Sequence, residues 1–171
     1  TSVFSVTHNG RINLSENIIG SVTNDGSINA STINGNINNF GAISLSSYNG
    51  FLSNRGSFIV NSINGTIRLN TGSIKARSID VSNSNIAGTL EASDIKVNNT
   101  TISSVITCSN LELNGSVLGA RGGSVSAGST ILFNSSENYL NLMEHTSTSI
   151  HSKNYGNVIN AVFKDRSVHN G

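Results

Sequence analysis

From Asn24 to Ala76 the chain repeats itself. Written in blocks, the segment reads NDGSINASTINGNIN, NFGAISLSSYNGFLS and NRGSFIVNSINGTIRLN. Each block opens on Asn, any residue, Gly, any residue and a large apolar residue, with a period of fifteen to sixteen residues. A unit this short cannot bury an apolar face alone, so it must stack on its neighbours.

The columns show how. One runs Ile12, Ile28, Ile43, Phe58, Ile74, Leu90, Ile106, and two residues on a second runs Leu14, Ala30, Leu45, Val60, Ala76, Ala92, Cys108. A third runs Ile18, Ile33, Tyr48, Ile63, Ile79, Ile95, Leu111, followed two on by Gly20, Gly35, Gly50, Gly65, Val81, Val97, Leu113. Spacing of two is strand periodicity, and no 3.6-residue period competes with it. Each rung therefore holds at least two short strands, with these columns facing inward.

Just before the first strand of each rung stands a glycine ladder, Gly10, Gly26, Gly41, Gly56, Gly72 and Gly88, with Asn24, Asn39, Asn54 and Asn70 two positions earlier. Glycine is what a corner with positive φ requires, and Asn tolerates such a corner while bonding to nearby backbone. Stacked Asn side chains can also bond to one another. A rung of fifteen residues has a perimeter of roughly 50 Å, enough for one file of side chains from each wall. The fold class that follows is all-β: a single-stranded parallel β-solenoid (β-helix) with 15–16-residue rungs, right-handed as parallel crossovers generally are. We expect regular solenoid over residues 1–127 and a less regular continuation or cap over 128–171. Within the latter, 135–143 reads as a Ser-capped helix or an irregular rung, and the spacing of Leu140 and Leu142 favours the strand.

Composition narrows the function classes. Only 11% of residues are charged, ten basic against nine acidic, while 27 of 171 are Asn. Bulk attraction to nucleic acid is not expected from such a balance. With no run of eighteen apolar residues and no visible signal peptide, membrane insertion is not expected either. The single cysteine, Cys108, falls in an inward column and reads as a small buried hydrophobe. His8 occupies an Asn position and reads as a corner residue. The less regular region also holds Glu144, His145, His151 and Asp165, where a site can be placed, although a cap or edge is the reading we favour.

Outward positions carry alternating charge: Asp80, Lys96 and Glu112 occupy one file, and Lys75 and Glu91 another. Opposite charges on neighbouring strands set register, whereas a cation site would want adjacent carboxylates. No metal or other cofactor is expected. Nor is an enzyme, because GxSxG, HExxH, CxxC and P-loop patterns are all missing. A carbohydrate-active β-helix enzyme, the third class considered, would cluster Asp or Glu with Lys or Arg on one face. Here Glu91 and Asp94 stand beside Lys75 and Arg77 as a balanced surface. An ice-binding face would need paired Thr on every rung, but the outward file reads Asn13, Asn29, Ser44, Ile59, Lys75, Glu91, Thr107.

The block Asn-x-Gly-x-Ile-x-Ala at Asn24 to Ala30, with variants at Asn39, Asn54 and Asn70, resembles the haemagglutinin-type repeats of large secreted β-helical adhesins. The later GTLEASDIKVNN and LELNGSVLG are similar in rhythm to bactofilins, polymer-forming β-helical cytoskeletal proteins. The first resemblance implies a structural or adhesive segment of a surface-exposed or virion-type fibre, outside the cell and facing a glycan or cell-surface receptor. The second implies a cytoplasmic filament. Neither brings catalytic residues. Binding candidates are Phe40 at a corner, outward Phe51, and the basic group Arg55, Arg68, Lys75 and Arg77. A solenoid end exposes apolar columns and unpaired backbone. Because the chain runs from just before His8-Asn9-Gly10 to His169-Asn170-Gly171, we expect a segment of a longer solenoid or end-to-end self-association.

Overall fold

The computed structural model describes residues 3–7, 9–142, 146–150, 152–157, 161–164 and 167–170. Among them every regular element is a strand, all pairings are parallel, and the strands stack into a β-solenoid of about nine turns. His8, Glu144, His145, His151 and Asp165 lie outside the described residues.

In one turn the buried positions are Ile28 and Ala30, then Ile33, then Ile37 and Asn39; the next turn repeats them at Ile43, Leu45, Tyr48, Leu52 and Asn54. A spacing of two marks a straight wall, and the wider steps from 30 to 33, 33 to 37 and 39 to 43 are corners. Each turn thus has three walls. The first two are those of the sequence columns, in the register Ile28, Ile43, Phe58, Ile74 and Ile33, Tyr48, Ile63, Ile79. The third adds an apolar file, Val22, Ile37, Leu52, Ile67, that the columns did not contain.

The third wall also carries two polar ladders inside the solenoid. Asn24, Asn39, Asn54 and Asn70 are fully buried. Each of the first three donates its Nδ2 to the Oδ1 of the next, at 2.8, 2.9 and 2.8 Å, and a further bond from each Nδ2 reaches a backbone carbonyl of the strand beyond, at Ala42, Ser57 and Ser73. Higher up, the inward Asn gives way to Ile86, Ile102 and Leu118, then returns as Asn138 and Asn154. Where the Asn file stops, a hydroxyl file begins two residues earlier in the rung. The backbone N–H of Ser84 donates to Thr100 Oγ1, that of Thr100 to Ser116 Oγ, that of Ser116 to Ser136 Oγ and that of Ser136 to Ser152 Oγ. Buried amides and hydroxyls are tolerable because each finds its partners: the amide bonds within its own rung and to the next, while the hydroxyl accepts from the backbone of the rung before and donates within its own rung, as Ser84 does to Ser82.

The glycine ladder holds its place for a different reason from the one expected. Of its six members only Gly88 has positive φ, so the corners of Gly10, Gly26, Gly41, Gly56 and Gly72 are not left-handed. What excludes a side chain is the rung beneath. A Cβ on Gly41 would lie 2.2 Å from the carbonyl oxygen of Gly26, and one on Gly56 would lie 2.0 Å from that of Gly41. Positive φ belongs instead to the fourth sequence column, for example Gly65 at φ +142°, where the second wall turns into the third. Nor do Asn24, Asn39, Asn54 and Asn70 adopt positive φ; they face inward.

One inward assignment needs correcting, and that of Cys108, which still packs against the core, holds only in part. Leu14 is 45% exposed: its strand ends at Asn13, and among the described residues Arg11–Asn13 has a parallel neighbour on one side only. Cys108 is half-buried rather than enclosed, because it closes the first wall where the chain turns towards Asn110. Elsewhere, within 135–143, Glu137–Asn138 is strand and pairs with Lys153–Asn154, Leu140 lies in a bend, Leu142 is buried, and Met143 lies outside the described residues. The loop at 119–123 lengthens one turn, so that Val105 faces Ser124, nineteen residues on.

The charge file stacks as aligned. Lys96 lies between Asp80 and Glu112 in register, with Nζ 3.8 Å from Glu112, and Lys75 meets Glu91 at 3.2 Å. We therefore expect Lys96→Glu to lower stability by up to about 1 kcal/mol, since three carboxylates would stand on successive strands. Urea unfolding at low and high salt checks this. Added salt should restore most of the loss, and a salt-independent loss would contradict the register.

Candidate functional site

The most distinctive surface begins with one extra residue. Across the third wall Leu52 faces Ile67, but Ser53 faces Leu69, so Arg68 has no partner and forms a bulge. This is where the period grows from fifteen to sixteen. A bulge bends its strand and re-aims a side chain, and here it lays the Arg68 guanidinium over the ring of Phe51, 4.5 Å from the centroid. One corner away, Arg55 covers Phe40 at 5.2 Å. Both rings are exposed, at 45% for Phe40 and 44% for Phe51. Arginine over an aromatic face is held in place without being neutralised, an attraction of about 0.5–1 kcal/mol at exposed sites.

Phe51, Arg55 and Arg68 stand as a ledge above the flatter outer face of the rungs before them. The step makes an open groove of about 390 Å³ whose floor is Ser21, Thr23, Asn36 and Asn38. These side chains are short, neutral and able both to donate and to accept. Asn38 Oδ1 is buried and has no hydrogen-bond partner.

The structure thus brings together Phe51, Arg55 and Arg68, with Phe40 attached through Arg55. It does not bring Lys75 and Arg77 to them. Those two lie in Ser73–Ser82, where Lys75 is paired with Glu91 and borders a separate groove with Cys108. Burial, and then the nearby charge of Asp94, push the Cys108 thiol up to about 11, so it stays protonated at neutral pH. Asp94 accepts a hydrogen bond from Asn110 Nδ2 at 2.8 Å. Among the described residues, no three His, Cys, Asp or Glu side chains gather to hold a metal ion.

The floor of the groove escaped the sequence reading because Ser, Thr and Asn are everywhere in this chain. The one signal was the lengthened period, which falls on the segment containing Arg68.

Neither a protein-family model, nor a curated protein, nor a solved structure matches the chain.

Proposed function

We propose that this chain is a non-enzymatic structural and adhesive rod, a segment of a surface-exposed or virion-type fibre or adhesin. The observation that carries the reading is the third wall: buried Asn side chains bonded end to end along the solenoid axis at 2.8–2.9 Å. Such ladders tie each rung to the next by side chain as well as by backbone, which favours a stiff element that extends in one direction. An exterior dominated by neutral polar residues suits a surface in contact with solvent, and the paired Phe and Arg side chains supply the adhesive patch.

Placement is the quickest test. Gold-labelled antibody raised against the chain should decorate intact source cells or particles. Decoration only after permeabilisation would overturn this reading in favour of an internal filament.

A further inference from the structure

We propose that the groove beside Phe51 is a subsite for an acidic saccharide, one whose ring carries a carboxylate or sulfate group. The proposal rests on the adhesive reading above and supplies its chemistry.

Charge is the first argument. Among the described residues the ion pairs are Lys75 with Glu91 and Lys96 with Glu112, so the two lysines of the charge files are matched within the protein. Arg55 and Arg68 are not. Both residues are exposed, have no carboxylate partner among the described residues, and hold their guanidinium groups over a ring. An arginine held by cation–π contact keeps its hydrogen-bonding edge free, and that planar fork matches a carboxylate or sulfate.

The floor is the second argument. Thr23, Asn36 and Asn38 offer hydroxyl and amide groups of the kind that pair with sugar hydroxyls, and Asn38 Oδ1 lies buried beside the groove without a hydrogen-bond partner. Phe51 is exposed and lines the groove, which gives an apolar contact for a sugar ring. A nucleic acid would demand a longer row of cations than two arginines. A neutral saccharide would leave both guanidiniums unmatched.

Placement is the third. Arg68 is the one residue by which this rung exceeds the two before it, and the strand bulges to carry it. Without the insertion the third wall would be flat and the ledge would have no cation over Phe51.

The test uses backbone amide NMR signals of the full chain titrated with three probes. They are an oligosaccharide of alternating glucuronic acid and N-acetylglucosamine, its sulfated counterpart, and the first with its carboxylates reduced to alcohols. At least one acidic form should shift the signals of Asn36, Asn38 and Ser53, and the acid that does so is thereby named. The reduced form should bind about tenfold more weakly or worse, and Arg55→Gln and Arg68→Gln should each weaken acidic binding by a similar factor with melting temperature unchanged. Equal binding of the reduced form, indifference to both arginine variants, or silence with all three probes would overturn the subsite. So would poly-glutamate shifting the same signals as strongly, which would make the groove a surface for an acidic protein. Surface decoration by antibody together with silent titrations would remove the subsite and leave the structural reading standing; decoration only after permeabilisation would remove the reading itself.

Discussion

Replacing Gly41 by Val should cost about 3 kcal/mol or more, a fall in melting temperature of roughly 6–12 °C for a chain of this size. The cause is contact with the rung below. A Cβ at this position would sit 2.2 Å from the carbonyl oxygen of Gly26 and 2.9 Å from the carbonyl carbon of Asp25, and both are backbone atoms fixed by rung-to-rung hydrogen bonds. Relief requires the two rungs to part, which strains Ala42 N–H to Gly26 O at 2.9 Å and Gly41 N–H to Asn24 O at 3.1 Å. Alanine already carries the offending atom, so Gly41→Ala should lose most of what Val loses. That comparison separates the steric cause from β-branching. Thermal unfolding followed by circular dichroism reads both, and an unchanged melting temperature for Gly41→Ala would contradict the close approach.

Asn54→Ala should be similarly damaging, at about 2–5 kcal/mol. The substitution takes the acceptor from Asn39 Nδ2 and the donor from Asn70 Oδ1, leaving two buried groups without their ladder partners. Asn54→Asp sharpens the argument through pH. At neutral pH its carboxylate would face Asn70 Oδ1, acceptor against acceptor, at a fully buried position. Burial raises the folded-state pKa of such a carboxyl above the unfolded value near 4. The folded state then holds its proton more tightly, so stability is greatest below about pH 4 and is lost as pH rises through the folded-state pKa. Urea midpoints at pH 3.5 and pH 7 for the variant and the parent check this. A variant that loses as much at low pH as at neutral pH would show that the ladder is not donor to acceptor.

How much of this was legible in the residues depends on what each position had to signal. Ile28, Ile43, Phe58 and Ile74 announce a wall because apolar residues recur at a strand's spacing, and the alternation of Lys75 with Glu91 and of Lys96 with Glu112 gives the stacking register. The third wall stayed hidden. Its inward positions pair an apolar residue with Asn, as in Ile37 and Asn39, and Asn followed by Gly two residues later reads as a turn. Asn39 in fact points inward, because the next Asn can satisfy it, and only stacking reveals that. Ser84, Thr100 and Ser116 were invisible for a plainer reason: outward-facing Ser and Thr are just as common here. The Gly41 file was found, but a pattern of glycines cannot distinguish a left-handed corner from a backbone packed too tightly for Cβ. The groove needed three dimensions, since Phe51 and Arg68 meet only across adjacent rungs.

The change of partner along the third wall bears on how a chain of near-identical units finds its order. A solenoid whose rungs were all alike could stack with one unit skipped and lose little, leaving many compact states of nearly equal energy. Here the wall distinguishes the units. Asn70 is followed by Ile86, and Leu118 by Asn138, so an Asn rung that pairs early with a rung from the middle of the hydrocarbon stretch forfeits its amide ladder. The change of partner thus favours pairing between rungs of the same kind, inside a stretch whose other walls would accept either.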